Sequence, residues 1–404
     1  MPWKETDVRS QRIGFVVEAL QGDESVSALC RRYGVSRKTG YKWLARYEQV
    51  GKLADLDALS RRPHHSPRQS SAELEQRVVE LRLHYGWGSR KLQWVLGEEG
   101  LHASRSTIDR ILDRRGVVRG RLRARPAIGR FVRERPNELV QMDFKGQIRL
   151  HSGGWCFPLS LLDDHSRFAL AVSALPSPQT AVVETVLRAS FERYGVPESM
   201  LIDHGTPWWS STSGKGLTRL GVFLISQGVT LIYSGSNHPQ TQGKVERFHR
   251  TLDHWVQHHR VPYNLQALQS AFVDFRDEYN TVRPHEALGM QTPAQWYRPS
   301  TRPYLAQPPE WPYPPGSELC RVRSKGRLKL AGADRFICDA LTGHTVRLER
   351  FGSRVLVSYR HMLVRELDLA NGTSFPVVRP ASVTGGAQKA GGSPVAEPTS
   401  DPPD

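Results

Sequence analysis

The 404-residue chain is predicted to be multidomain, with an all-α front, a mixed α/β middle and a small all-β end. Three observations carry that prediction. Residues 1–118 show helical apolar spacing broken by Gly- and Ser-bearing turns. From Asn137 to Pro299, strand-length apolar runs alternate with amphipathic helices. Past the Pro-rich stretch "STRPYLAQPPEWPYPPG", only short β patterns remain. The net charge of +16, from 56 Lys and Arg against 40 Asp and Glu, favours a polyanionic partner such as nucleic acid. The four cysteines, Cys30, Cys156, Cys320 and Cys338, are scattered and contain no C-x-x-C. They predict neither a disulfide framework nor a zinc knuckle, and suit a reducing compartment. No signal-like apolar run opens the chain, and none approaches the roughly 18 apolar residues of a membrane span. A cytoplasmic protein with no membrane partner is expected.

The front reads as residues 1–55 and 71–118. In "ESVSALCRRYGVSRKTGYKWLARYEQVG", Val26, Leu29, Cys30 and Tyr33 share a helical face, Gly34 permits a tight turn, and Ser36 offers an N-cap. The next helix presents Arg37, Lys38, Thr39 and Lys42 outward, with Tyr41, Leu44 and Ala45 assigned to the core. Helix, short turn and basic helix make a helix-turn-helix, and charge on the second helix favours DNA binding over a plain hairpin. A second such module is expected in 71–118. There a Gly-Trp-Gly break separates two helices, and a third starts near Ser104 or Ser106. Arg105, Ser106, Thr107 and Arg110 stand at its start, where recognition helices meet base edges. Eleven Arg against three acids fill residues 105–135. Residues 119–136 are therefore expected to be a basic arm contacting phosphates.

The middle, 137–300, predicts three antiparallel strands, the helix "TAVVETVLRASFERYG", a short strand "SMLID", a helix, a fifth strand and further helices. A small basic β domain is expected at 316–370. The tail, 371–404, with six Pro and five Gly, is expected to be disordered.

Three acids in the middle point to chemistry. Asp143 lies inside the first apolar strand, where a carboxylate is costly to bury without a partner or a metal. Asp203 closes the strand "MLID", at the carboxyl end where ligands collect in open α/β sheets. Glu246 enters on the helix begun by "HPQTQGKVERFHRTL". Sixty residues separate the first two and 43 the last two, so only the fold can bring them together. Three convergent carboxylates repel one another, and two Mg²⁺ ions, or Mn²⁺ in their place, would relieve that repulsion. Two such ions support in-line displacement at phosphorus.

The motifs "QMDFKG", "DDHSR" (Asp163–Arg167), "DHGTPW", "HPQTQGKVERFHRTL" and "YNTVRPHEAL", in that order over about 137–297, resemble the catalytic core of DDE transposases and retroviral-type integrases. The likeness is to bacterial insertion-sequence transposases with an integrase core, whose front end also carries tandem helix-turn-helix modules. That resemblance implies an RNase H-like fold, with Asp143, Asp203 and Glu246 as catalytic residues and metal ligands. It implies terminal-inverted-repeat binding, Mg²⁺-dependent cleavage and strand transfer into target DNA. The partners implied are double-stranded DNA, both element ends and target, and further copies of the chain assembled on it. A nucleoid-associated protein is expected. The 43-residue spacing is longer than in many members, with the extra length in "PWWSSTSGKGLTRLG".

The Pro/Gln/Gly loop before Glu246 is read as a lip over DNA. Lys244 and Arg247 flank Glu246 and are candidates to hold phosphates, with a solvated helix face as the alternative. Asp163 and Asp164 are assigned to a structural turn, His249 to solvent, and His254, His258 and His259 to a wet face. Arg283 and His285 are assigned to fixing a loop to the core. Two other functions fit the residues: a DNA-binding regulator on an inactive core, and a nuclease that cuts without joining.

Overall fold

The structure, a computed structural model, describes residues 8–53, 56, 70–117, 132–203, 205, 207–210, 216–233 and 243–381. Most of the expected basic arm, most of the Pro/Gln/Gly loop before Glu246 and the last 23 residues lie outside the described residues. The chain divides into two compact units, Met1–Ser71 and Ala72–Asp404.

In the first unit, helices α1 (Val8–Gln21), α2 (Val26–Arg32) and α3 (Arg37–Val50) close on Phe15, Val16, Leu29, Cys30, Trp43 and Leu56. The Ser36 side chain accepts from Thr39 N–H, the expected cap of α3, and that of Ser25 accepts from Ala28 N–H to cap α2. Gly34 sits at φ +65° between α2 and α3, in the left-handed region that a side chain disfavours. The assignment of Tyr41 and Ala45 to the core is overturned: both are exposed, Tyr41 at 57%. The inward stripe runs instead through Gly40 and Trp43. A Cβ on Gly40 would stand 2.5 Å from Cys30 Sγ and 2.8 Å from Phe15 Cζ, so the absence of a side chain lets α3 lie against α1 and α2.

The second unit opens with α4 (Ala72–Tyr85), α5 (Ser89–Glu98) and α6 (Arg105–Arg114), packed on Val78, Leu81, Trp87, Leu92, Leu96, Ile108, Ile111 and Leu112. Ser104, not Ser106, caps α6, its hydroxyl accepting from Thr107 N–H. A sheet follows, from β1 (Val140–Phe144), β2 (Ile148–Arg149), β3 (Trp155–Asp163), β4 (Ala169–Leu175), β5 (Ser199–Ile202) and, beyond the small hairpin β6 (Trp209–Ser210) and β7 (Gly216–Leu217), β8 (Thr230–Tyr233). Its order is β4-β3-β1-β5-β8, with β2 pairing the start of β3. Strands β1, β3 and β4 pair antiparallel, whereas β5 and β8 join parallel to β1.

Helices α7 (Thr180–Tyr194) and α8 (Arg219–Ser226) contribute to one hydrophobic cluster, with Val140, Met142, Leu159 and Leu161 from the sheet. Helices α9 (Gly243–His258) and α10 (Leu265–Thr281) make another with Cys156, Leu162, Ala169 and Val172. Residues alternate between these clusters along β3 as the pleat requires, so the sheet is buried on both faces. The short α11 (Pro293–Trp296) follows. No described helix is long and apolar enough to cross a membrane.

The β domain holds β9 (Glu318–Arg321), the hairpin β10 (Arg327–Leu330) and β11 (Ala333–Phe336), then β12 (Thr345–Phe351), β13 (Arg354–Tyr359), β14 (Met362–Asp368) and β15 (Thr373–Pro380). Its main sheet runs β15-β14-β13-β12-β9. Two expectations are corrected here. The domain extends past 370, since β15 is a strand over part of the segment expected to be disordered. Nor is the domain separate: its Val322, Leu341, Val355 and Met362 join the cluster formed with α7 and α8, and Cys338 Sγ lies 3.2 Å from the Leu217 carbonyl.

The second helical module also docks on the α/β layer. Arg90 pairs with Glu286 at 2.8 Å, Lys91 Nζ donates to the Pro284 carbonyl, and the Arg283 guanidinium lies 5.9 Å over the Trp87 ring. Arg283, assigned to the core by sequence, lies instead against this module. His258 is no wet side chain: its Nε2 donates to the carbonyls of Leu83 and His84 at 2.8 and 3.2 Å.

Candidate active site

The pairing of β1 with β5 explains the 60-residue spacing. Val140 lies opposite Met200 and Gln141 opposite Leu201. The same offset carried two residues further sets Asp143 level with Asp203, just past the end of β5, on strands about 4.8 Å apart. Asp143 is directed away from Val140 and Met142, which are buried in the α7/α8 cluster. Its β3 partner is Ser160, and its face of the sheet is the one α9 covers.

Asp203 is held by the loop that follows it. Its Oδ1 accepts from Gly205 N–H at 3.0 Å, and a Cβ on Gly205 would stand 2.9 Å from its Oδ2. Any other residue at 205 would press on the carboxylate. Glu246 stands exposed in the first turn of α9, while its neighbours Val245 and Phe248 are buried. The stripe Val245, Phe248, His249, Leu252, Trp255 and Val256 seats the helix on the sheet, outside which Glu246 stays exposed.

The three carboxylates share one field. Burial first, then the charge of Asp203 and, more weakly, that of Glu246 push Asp143 up to about 7, opposed by a hydrogen bond from Phe144 N–H. All three are hard oxygen donors, the chemistry that suits Mg²⁺ or Mn²⁺ rather than a thiophilic metal. Among the described residues, no group of three or more His, Cys, Asp or Glu side chains closes around one point. Like charges of the trio oppose such closure.

The integrase core domain family matches residues 133–239 and again 227–293, together the whole sheet and the helix bearing Glu246. Residues 133–293 thus carry an integrase core domain. A helix-turn-helix domain matches residues 11–64 and a homeodomain-like domain residues 39–112. The chain is 26% identical over 245 residues to an uncharacterized 31.7 kDa protein of insertion element IS407 from Burkholderia multivorans, covering 57% of this chain and 82% of that protein. It is 25% identical over 252 residues to an uncharacterized 39.2 kDa protein of insertion element IS476 from Xanthomonas euvesicatoria, covering 61% and 70%. A solved structure of the HTLV-2 integrase catalytic core domain in complex with magnesium is similar at 15% identity and a TM-score of 0.32, over 40% of this chain and 97% of that one.

Around Asp143, Asp203 and Glu246, four side chains stand where the sequence did not put them. His249 is buried, not solvated: its Nε2 meets the Ser160 hydroxyl at 3.1 Å and its Nδ1 lies 3.9 Å from Asp143 Oδ2. Burial, with Lys145 nearby, drives its pKa down to about 4, so the ring is neutral at pH 7. Lys145 itself, directly after β1, pairs with Asp253 at 2.6 Å. Lys244 is not turned toward solvent or positioned as a phosphate ligand: its Nζ is 2.6 Å from Asp164 Oδ2. Burial, with Arg167, lowers the Lys244 pKa to about 8 against the pull of Asp164. Gln141, a strand residue whose side chain reaches α9, completes the four. The α9 stripe, at three- and four-residue steps, includes position 249 and could have exposed the burial of His249.

Asp163 and Asp164 are fully buried, and Asp163 holds the β3–β4 turn. Asp163 accepts from Asn137 N–H at 2.7 Å and from Ser166 N–H and hydroxyl at 2.8 and 2.6 Å. The other expected DNA-facing side chains fall into two groups. Arg37, Lys38, Lys42, Arg105, Ser106, Arg110 and Arg247 are exposed. Thr39 and Thr107 are half-buried, their hydroxyls 2.9 Å from the Ser36 and Ser104 caps. Arg110 folds back on its own helix, its Nε donating to the Ser106 carbonyl at 3.1 Å.

Proposed function

We propose that this chain is a DNA transposase that binds the terminal inverted repeats of its element, cleaves there and joins the 3′ ends to target DNA. The observation that supports this reading is that the Asp143 carboxyl, on β1, is raised by the charge of Asp203, just past β5, and more weakly by that of Glu246, on α9. A carboxylate trio on an integrase core, with helix-turn-helix modules ahead of it in the chain, supplies a reaction centre and a means of finding DNA ends.

Asp143, Asp203 and Glu246 would hold two divalent ions, Mg²⁺ with Mn²⁺ as a substitute, which would supply electrostatic stabilisation of the oxygens entering and leaving phosphorus. The chain's own residues do the rest. Gly205 N–H fixes the Asp203 carboxylate, and the buried stripe of α9 fixes the helix that carries Glu246. Arg37, Lys38, Thr39 and Lys42 on α3, and Arg105, Ser106, Thr107 and Arg110 on α6, would contact the repeats; Arg247 beside Glu246 would contact phosphate. In cleavage, water attacks phosphorus and the 3′-oxygen leaves. In joining, that 3′-hydroxyl attacks a target phosphorus and displaces a target 3′-oxygen. Both element ends must be held at once, so the working form would be an assembly of copies on DNA, at the nucleoid.

The test is strand transfer in vitro with purified chain, labelled DNA bearing the flanking repeats, and a plasmid target, in Mg²⁺ or EDTA. Metal-dependent joined products that vanish in Glu246→Gln, with DNA binding retained, are expected. Tight binding with no cleavage in Mg²⁺ or Mn²⁺ would point to a regulator on an inactive core. Cleavage without joining would point to a nuclease.

A further inference from the structure

Asp164 is fully buried at the head of the β3–β4 turn, yet it faces the first turn of α9, some 80 residues on in the chain. Its backbone N–H donates to the Leu139 carbonyl at 2.9 Å, which fixes it beside the entry to β1. Its Oδ1 accepts from Gln141 Nε2 at 2.8 Å, and its Oδ2 accepts from Arg133 N–H at 2.9 Å and lies 2.6 Å from Lys244 Nζ. Lys244 Nζ also reaches the Asp164 carbonyl at 3.1 Å. Gln141 in turn uses its Oε1 to accept from Val245 N–H at 3.3 Å. That N–H belongs to the first turn of α9, where no intrahelical acceptor exists. The two residues immediately before Glu246 are therefore each tied to β1 or to the β3–β4 turn. Gln141 lies two residues before Asp143 on the same strand, so one side chain links the strand of the first carboxylate to the helix of the third.

We propose that Asp164, Lys244 and Gln141 form a clamp that sets Glu246 against Asp143, making them positioning residues for the reaction proposed above. The inference rests on that reading for its catalytic consequence, but the clamp itself can be judged without it. A buried carboxylate gains from a cation beside it, so removing Lys244 takes the ammonium from Asp164 and frees the start of α9. Groups that orient metal-binding side chains from behind typically change metal affinity or activity by about 10- to 100-fold when removed.

The experiment compares the wild-type full chain with Lys244→Met, Lys244→Arg and the charge-matched double variant Asp164→Asn/Lys244→Met. The double variant carries no buried unpaired charge, so it keeps the test available if Lys244→Met fails to fold. Amide exchange, without metal or DNA, reads the clamp directly. Residues 243–248 are expected to exchange at least about tenfold faster in Lys244→Met and in the double variant, with 252–258 unchanged and partial recovery in Lys244→Arg. On DNA, binding in EDTA is expected to hold, while the joining rate falls about 10- to 100-fold and the half-saturating Mg²⁺ concentration rises. Unchanged exchange at 243–248 overturns the clamp, whatever the activity. Faster exchange with joining rate and Mg²⁺ half-saturation within about twofold of wild type overturns its role in setting Glu246. If the wild type neither cuts nor joins, the transposase reading fails, and the exchange result alone decides the clamp.

Discussion

His249 offers Nε2 to the Ser160 hydroxyl at 3.1 Å and holds Nδ1 3.9 Å from Asp143 Oδ2, so one imidazole spans two adjacent strands beneath the carboxylate trio. Replacing it with Leu keeps an apolar filling but takes the ring nitrogen from a fully buried hydroxyl. His249→Leu is expected to cost about 1–3 kcal/mol of stability, and adding Ser160→Ala to recover part of it. Urea midpoints of the two single variants and the double variant provide the check; additive losses would show that the contact contributes nothing.

His285 makes stability depend on acid in a predictable direction. Burial first, then the cations of Lys91 and Arg283, drive its pKa from the usual 6.5 down to about 3, with Arg167 contributing in the same sense. The unfolded chain takes up this proton near pH 6.5 and the folded chain only near pH 3. Between those values the unfolded state binds more protons, so stability is lost as pH falls, by up to about 1.4 kcal/mol per pH unit. His249 acts in the same sense, so the difference between wild type and His285→Gln isolates one ring. Urea titrations at pH 7 and pH 5 should show a smaller loss in the variant; equal losses would remove His285 from the account.

Gly40→Ala tests the inward stripe of α3. The new methyl would meet Cys30 Sγ and the Phe15 ring well inside contact distance. Overpacking of this kind typically costs about 1–3 kcal/mol, although alanine is the better helix former. Amide exchange confined to 8–53 should rise in the variant while the second unit stays unchanged. A stabilised first unit would contradict the packing.

Tyr41 and Arg37 project from α3 into solvent. Substituting either with Ala is expected to move stability by no more than about 0.5 kcal/mol. If α3 meets DNA, Arg37→Ala should weaken repeat binding and lower the salt slope by about 0.9 for one lost phosphate contact. Binding isotherms across a salt series read both quantities. An unchanged slope would remove Arg37 from the interface.

The architecture was legible in the sequence wherever side-chain period and burial coincide. The apolar runs of β1, β3, β4 and β5 and the stripe of α7 lie where the pattern placed them, and Ser36 caps its helix through the expected hydroxyl. The α3 assignment slipped because Gly40 has no side chain, so an apolar-pattern reading passes over the position that packs closest. His249 was misplaced by its polarity, although its position in the α9 stripe marks it as inward. Strand β15 was hidden by Pro376 and Pro380; as an edge strand it tolerates prolines that a central strand would exclude. The Asp164–Lys244 pair has no local signature, since its partners are brought together by the path of the sheet. The three acids were picked out by their places on strand and helix, and the β1–β5 register gives the physical reason why Asp143 and Asp203 stand level.

The Pro-rich stretch before β9 reads as a seam, but the side chains on either side of it share a single apolar interior. A truncation there would not release a finished catalytic piece. It would strip Val322, Leu341, Val355 and Met362 from against α7 and α8 and leave a greasy face open to water. Such a fragment should aggregate, and the two regions should melt in a single transition. A dissection that aims to isolate the chemistry must therefore carry the chain through Pro380.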